Sequence, residues 1–554
     1  MSEFGAWVSG NHTNFRVWAP YLQTLKLKLA GRDPIPMERD DRGYFFVKVE
    51  GVEDRLYTYL TEDGSEFPDP ASRYQPQGVN GPSQVVNTNF DVPGLKTKVD
   101  DLIIYELHVG TFSPRGDFQG VVERLDYLTD LGVNAIEIMP VAQFPGKRGW
   151  GYDGVYLYAV QESYGGPCGL RDLVVEAHSR GLAVILDVVY NHVGPEGNYL
   201  SKFGPYLSNR YVTPWGPTFN YDDRGSDEVR KFILENVRYW LTTFNLDGLR
   251  LDAIHGIFDF SPKHILKEIA DLSHSLGKFV IAESDLNDPK VITEYGVDAQ
   301  WVDDFHHAVH AYVTGERNSY YSDFGRLEDI EKAFKDVFVY DGRYSKHREK
   351  THGAPVRGLS PRRFVVYIQN HDQVGNRGKG ERLSVLVQRT KYFACAALYI
   401  LSPFIPMLFM GEEYGETAPF LFFTDYSDPG LAKAVREGRL RDNGQESDPQ
   451  SEQTFQNSKL TWKVDEEVLS FYKKLISLRK YVDERPKRVL KGDNWILVEM
   501  DRIFVVASFG RSTVEVDREG KLLLGINFPE ELKRRETIAL QEGVGIYSDR
   551  EIGR

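Results

Sequence analysis

The stretch Gly248-Leu-Arg-Leu-Asp252 is a short apolar strand that delivers an arginine and an aspartate at its carboxyl end. Residues two apart on a strand face the same way, so Arg250 stands beside Asp252 and can hold its carboxylate charged and oriented. Three further segments have the same form: Val184-Ile-Leu-Asp-Val-Val-Tyr-Asn-His192, which carries Asp187; Phe279-Val-Ile-Ala-Glu283; and Phe364-Val-Val-Tyr-Ile-Gln-Asn-His-Asp372. Apolar strands that each end in acids and histidines describe the catalytic rim of a β/α barrel, where reactive groups come from the carboxyl ends of separate strands. The expected fold class is α/β, a (β/α)8 TIM barrel.

Outward from these segments, short apolar runs alternate with helical stretches from Asp101 onward, the pattern of a parallel sheet. The candidate barrel strands are Ile103–Leu107, Ala135–Met139, Ala183–Val188, Gly248–Leu251, Phe279–Ala282, Ala299–Val302, Phe364–Ile368 and Pro406–Phe409, the number that closes a barrel. A Gly-, Pro- and Tyr-rich excursion, 192–223, follows the third strand and is expected to form a cap beside the rim, ahead of a helix near Ser226–Phe244. The last barrel helix is expected at Glu466–Tyr481, with Val468, Phe471, Tyr472, Leu475 and Leu478 on one face. Residues 1–95 alternate apolar and polar positions in runs such as Leu25-Lys-Leu-Lys-Leu29, which reads as an N-terminal β-sandwich; its final part, Phe67 to Pro82, reads as a packed connection. Alternation returns in Trp495-Ile-Leu-Val498 and Ile503-Phe-Val-Val-Ala507, so the barrel is expected over 96–485 and a C-terminal β-sandwich over 486–554.

The 554-residue chain has a formal charge of -14, which argues against nucleic acid or an anionic membrane as partner, since both require clustered Lys and Arg. Two cysteines, Cys168 in a Gly-Pro-rich loop and Cys395 in an Ala-rich helix, do not make a disulfide framework. The opening Met1-Ser-Glu-Phe lacks the basic and apolar regions of a signal peptide, and the cytoplasm is the expected compartment. The uncharged run Tyr392 to Met410 has the length of a membrane span, but Pro403 and Pro406 divide it into a helix, Tyr392–Leu401, and a strand, Pro406–Met410.

Asp252 and Glu283 end neighbouring strands. Their carboxyl groups are expected to approach to about 5–5.5 Å, the spacing at which one attacks a glycosidic carbon and the other protonates the leaving oxygen, with retention of configuration. Asp372 adds a negative charge suited to an oxocarbenium-like transition state. A single strand-end acid commonly caps the following helix, but four such acids with Arg and His companions are not explained that way.

Asp187 to His192, Gly248 to His255, Ile281 to Asp285 and Asn370-His-Asp372 resemble the four signature regions of the α-amylase family of glycoside hydrolases, in their usual order. The resemblance implies Asp252 as nucleophile, Glu283 as general acid/base and Asp372 as transition-state stabiliser. It also implies sugar or nucleophile contacts for Arg250, His192, His255 and His371, with Tyr152 stacking beneath the cleaved sugar. Trp150 to Tyr158, Gln161 to Pro167, Asn191 to Tyr199, Glu283 to Pro289 and Gln300 to His307 resemble the trehalose-releasing branch of that family. This implies maltooligosyltrehalose and maltooligosaccharides as ligands, no cofactor, and a maltooligosyltrehalose-forming synthase acting upstream. Isoamylase- or branching-type chemistry on the same barrel is the nearest alternative, and a non-catalytic carbohydrate-binding protein is another. The N-terminal sandwich is similar to the module that precedes the barrel in isoamylases and branching enzymes.

Other features point less sharply. Gly149-Trp-Gly-Tyr-Asp-Gly154 matches a dinucleotide fingerprint, but Val-Tyr-Leu-Tyr follows where a helix is required, so no nucleotide is expected. His306 and His310 have i,i+4 spacing without a third ligand nearby, and Asn191, at a position where many α-amylases bind calcium, has no carboxylate partner in view; no metal is expected. Trp215, in a Pro-stiffened turn of the cap, is either a turn residue or a platform for a sugar ring. Asp285 and Asp288 either hydrogen-bond the sugar or cap a helix, and Arg348 is a further candidate of the same kind.

Overall fold

In the computed structural model, which describes residues 4–550, eight parallel strands close into a barrel: β1 Ile104–Leu107, β2 Ala135–Ile138, β3 Ala183–Val188, β4 Gly248–Leu251, β5 Phe279–Ala282, β6 Ala299–Trp301, β7 Phe364–Val366 and β8 Ile405–Phe409. Each strand pairs with the next in sequence, and β8 returns to β1. The inward row is apolar at the amino ends, where Ile104, Ala135, Ile185, Ile281, Val365 and Met407 share one buried cluster. Two residues further along, the same inward row turns polar at Glu106, Glu137 and Asp187, and Arg250 enters from β4. The alternation of strand side chains thus builds an apolar floor and a charged upper layer from one set of strands. Gly248 opens β4 because a Cβ there would meet the Phe279 ring at 2.3 Å.

The excursion after β3 forms a short helix, Leu200–Phe203, and a hairpin of Leu207–Thr213 with Gly216–Phe219, before the helix Ser226–Thr243. The run with two prolines resolves into the helix Arg389–Ile400 and β8, and the last barrel helix spans Glu466–Leu478 with a short turn, Arg479–Tyr481. No helix among the described residues is long and apolar enough to cross a membrane. One element differs from expectation, and a strand, not a helix, follows Gly154. Cys168 lies in the first turn of the helix Gly166–Ser179, which Pro167 opens because its fixed φ suits a helix start, rather than in a loop. Tyr156–Val160 pairs antiparallel with Ala142–Gln143 outside the barrel.

The N-terminal region has two sheets, one ordered Gly5–Ser9, His12–Trp18, Tyr44–Glu50, Glu38–Arg39, the other built on Lys26–Leu29 and Leu56–Leu60. Phe15 and Tyr57 meet edge to face between them at 5.0 Å. The connection after Phe67 is anchored by buried Asp69, which accepts hydrogen bonds from Tyr57 Oη at 2.8 Å and Tyr59 Oη at 3.1 Å. At the other end, a six-stranded sheet from Arg488–Lys491 to Glu531–Leu532 packs through Leu497, Val506 and Tyr547 on the pair Ser512–Val516 and Glu536–Leu540. Residues 1–3 and 551–554, the outer ends of the two expected sandwiches, lie outside the described residues.

Candidate active site

The polar layer converges on Arg250, which is fully buried. Its Nη1 donates to Asp187 Oδ2 at 2.7 Å and to Asp252 Oδ1 at 3.0 Å. Its Nη2 lies 2.8 Å from Glu283 Oε2, an ion contact without hydrogen-bond alignment. The guanidinium rests on the Trp301 ring at 4.1 Å. Burial disfavours this cation, yet Asp187 and Glu283 outweigh that cost and raise its pKa further, so the charge is permanent. One planar group therefore fixes the acids that end β4 and β5 close to each other.

Asp252 has a second holder. Asn191 Nδ2 donates to Asp252 Oδ2 at 2.9 Å and to its carbonyl at 2.8 Å, while Asn191 Oδ1 faces His192 Nδ1. The asparagine is thus committed to the aspartate and the histidine, an arrangement that does not fit a calcium ligand. The chain turns sharply after Asp252: Ala253 has φ 36°, a conformation costly for a residue with a Cβ, and its N–H points to Glu283 Oε2 at 2.8 Å. Burial raises the Glu283 pKa well above the usual carboxylate range; Arg250 opposes this, while Asp252 and Asp372 add to it. Asp372 behaves oppositely. Burial pushes it up, but the charge and hydrogen bond of His371, helped by Arg250 and Arg439, pull it down to about 2. The two acids on this rim are thus shifted in opposite directions, the condition under which one carboxyl can hold a proton while another stays ionised.

Tyr152 joins the two halves. Its hydroxyl lies 2.6 Å from Asp187 Oδ2 and 2.8 Å from His371 Nε2, and its ring stacks on the imidazole at 5.2 Å. His192 holds the Tyr152 carbonyl at 3.0 Å and stacks beneath Trp215 at 5.8 Å. Trp215, at the tip of the cap hairpin, is 45% exposed and also meets His255 edge-on. His255 Nδ1 accepts from the Asp285 N–H at 3.2 Å, and burial lowers its pKa. Asp285 and Arg348 form a two-pronged pair, Nη1 to Oδ2 at 2.8 Å and Nη2 to Oδ1 at 2.5 Å. Burial raises the Asp285 pKa, but Arg348 more than offsets it and the net direction is down.

Asp288 does not join this group. Its Oδ1 accepts from the Lys290 N–H at 3.0 Å, just ahead of the short helix Lys290–Thr293, and makes no contact with the residues above. His306 and His310 stack on each other at 5.1 Å; the first bonds His307 at 3.0 Å and the second Glu316 at 3.1 Å. No group of three or more His, Cys, Asp or Glu among the described residues is arranged to hold a metal ion. Sequence reasoning missed Glu106, which holds His371, and Asn376, whose Nδ2 donates to Asp372 Oδ1 at 3.1 Å. It also missed Arg439, which holds Asn376 Oδ1 at 2.8 Å. The signal for Glu106 was present, since an acid in the middle of an apolar barrel strand must be paired or neutral.

Comparison with known proteins accords with this geometry. The family described as alpha amylase, catalytic domain, matches residues 80–215 and 206–485, and the alpha-amylase C-terminal family matches 484–548. A malto-oligosyltrehalose trehalohydrolase of Saccharolobus solfataricus is 57% identical over 98% of this chain and 99% of its own length. The protein of the same name from Arthrobacter ramosus is 44% identical over 86% and 89%. The crystal structure of an alpha amylase candidate from Salmonella typhimurium superimposes with a TM-score of 0.90 at 37% identity, covering 99% of this chain and 100% of that one.

Proposed function

The chain belongs to the α-amylase family of glycoside hydrolases, and from that premise we propose that its rim cleaves the α-1,4-glucosidic bond next to the terminal trehalose of maltooligosyltrehalose, releasing trehalose and a shortened maltooligosaccharide. The observation that carries the reading is the single guanidinium of Arg250 shared by Asp252 and Glu283, which supports a short separation between nucleophile and acid. Asp252 attacks the anomeric carbon while Glu283 gives its proton to the glycosidic oxygen, so trehalose leaves neutral and a maltooligosyl ester forms on Asp252. Water then attacks from the face trehalose vacated, losing its proton to the Glu283 carboxylate, and the ester bond breaks. Two inversions leave the α configuration intact. Asp372 stays ionised beside the positive charge that develops at each transition state.

Trehalose has no reducing end, so the substrate must come from a reaction that converts the reducing end of a maltooligosaccharide into a trehalose linkage. A synthase of that class is the expected upstream partner. The test is incubation of the purified protein with maltotriosyltrehalose. Expected products are trehalose and α-maltotriose, resolved by proton NMR before mutarotation. Release of glucose or maltose without trehalose, or cleavage of α-1,6 branches instead, would refute the reading.

A further inference from the structure

We infer that Glu106 is a positioning residue for this rim: by holding His371 through both its ring Nδ1 and its backbone N–H, it keeps the imidazole doubly protonated and aims Nε2–H at Tyr152 and Asp372. The inference rests on the proposed site being the working one. Glu106 lies on β1, faces the barrel interior and is 1% exposed. Its Oε2 accepts from the His371 backbone N–H at 3.0 Å, and its Oε1 meets Nδ1 in a short contact.

Hydrogen-bond bookkeeping then fixes the imidazole. Tyr152 has one hydroxyl proton, and it is directed to Asp187 Oδ2 at 2.6 Å. The tyrosine oxygen, 2.8 Å from Nε2, must therefore accept, which places a proton on Nε2. Nδ1 faces Glu106 Oε1, a contact that requires a proton between the two lone pairs, and the imidazole basicity raised by Asp372 and Glu106 places that proton on nitrogen. Both ring nitrogens carry hydrogen. The resulting cation stands 3.4 Å from Asp372 Oδ2. A continuous chain thus runs from Asp252 through Arg250, Asp187, Tyr152 and His371 to Glu106, linking the nucleophile to the transition-state stabiliser.

The other charged and titratable groups around His371 are consistent with this state. Burial opposes a charged imidazole, but Asp372 and Glu106 outweigh it and raise its pKa well above the ordinary value. Glu137 on β2 and Asp187 on β3 also feel its charge; burial raises the pKa of both, Asp187 to about 7, so Asp187 takes the Tyr152 proton as acceptor once its carboxyl is ionised. His108, just beyond β1, is held neutral by burial, with a pKa lowered to about 4, so it does not compete for the proton. Arg250 on β4 remains charged.

Glu106→Gln keeps the shape of the side chain but removes the charge that stabilises the imidazolium. Trehalose release by full-length wild type, E106Q, H371Q and the double variant is followed from pH 5 to 9. The expected result is a fall in kcat of roughly 10- to 100-fold at neutral pH with little change in KM. A new limb, on which kcat declines as pH rises between about 6 and 8, should mark His371 losing its proton in E106Q. That limb should vanish in the double variant, whose activity should match H371Q alone. A uniformly lowered profile with no new limb, or losses that multiply in the double variant, would overturn the inference. If E106Q is recovered unfolded, Glu106→Asp carries the test: it keeps the charge but cannot reach both contacts, and wild-type kcat at every pH in that variant would equally overturn it. Absence of trehalose release by the wild type would sink the proposed substrate instead, and the same comparison would then be read on whichever glucan the wild type cleaves.

Discussion

Asp252 and Glu283 bear on the same guanidinium yet need opposite protonation states, and their surroundings separate them. Asp252 is held in place by hydrogen bonds from Arg250 and Asn191; Glu283 has the Ala253 N–H but sits in an apolar strand end whose burial favours the acid. The roles can be read from product stereochemistry with an activated donor, α-maltosyl fluoride, which needs no acid. With azide present, Glu283→Gln should form the ester on Asp252 and give α-maltosyl azide, whereas Asp252→Ala should admit azide from the nucleophile's side and give the β anomer. Exchanged anomers would exchange the assignments. On the natural substrate, E283Q should lose about 10²- to 10⁴-fold in kcat. It should also lose the limb along which wild-type activity falls as pH rises through the raised Glu283 pKa, because that limb reports loss of the proton to be donated.

At the level of elements, we propose that selectivity for trehalose resides in the cap hairpin and the loop after β5. Trehalose differs from maltose in its linkage, so its second ring leaves in another direction and meets groups a maltose unit misses. Trp215 is partly exposed and stacked on His192, so on the proposed function it would offer a preorganised face to that ring. Trp215→Ala should lower kcat/KM for maltotriosyltrehalose roughly 10-fold more than for maltopentaose; an equal loss on both would assign the tryptophan to general binding or stability. The barrel strands were legible because buried parallel strands read as short continuous apolar runs, and Asp187, Asp252, Glu283 and Asp372 drew notice because four strand-end acids with Arg and His companions exceed what helix capping explains. Direction within a turn was not legible. Asp285 and Asp288 are three residues apart, and only the fold shows that the first pairs with Arg348 while the second turns to the Lys290 backbone N–H. Asn191 was weighed only as a calcium ligand for a related reason: its contacts are with Asp252, on another strand, and with its own neighbour His192.

Across the whole molecule the barrel carries a buried acid pair remote in sequence from the signature regions, at the turn after β8. Glu412 accepts hydrogen bonds from Tyr399 on the helix Arg389–Ile400, from Tyr472 on the helix Glu466–Leu478 at 3.1 Å, and from the Phe409 N–H at 3.3 Å. It thereby ties the end of the barrel to the two helices that close it. Glu413 beside it accepts from Tyr105 at 3.1 Å and Tyr127 at 2.8 Å. Burial raises both acids to about 7, against the pull of those donors. The sign follows directly: the folded form binds a proton that the unfolded form has released above about pH 4.5, so stability is fully present below that pH and is lost as pH rises through about 7. For Glu412 alone the change amounts to about 3 kcal/mol. Glu412→Gln keeps an acceptor for the two tyrosines and removes the ionisation, so its melting temperature relative to wild type should move in the variant's favour between pH 5 and pH 8. A difference that stays constant over that range would show that Glu412 is already ionised in the folded protein at pH 5 and that its three hydrogen bonds outweigh burial.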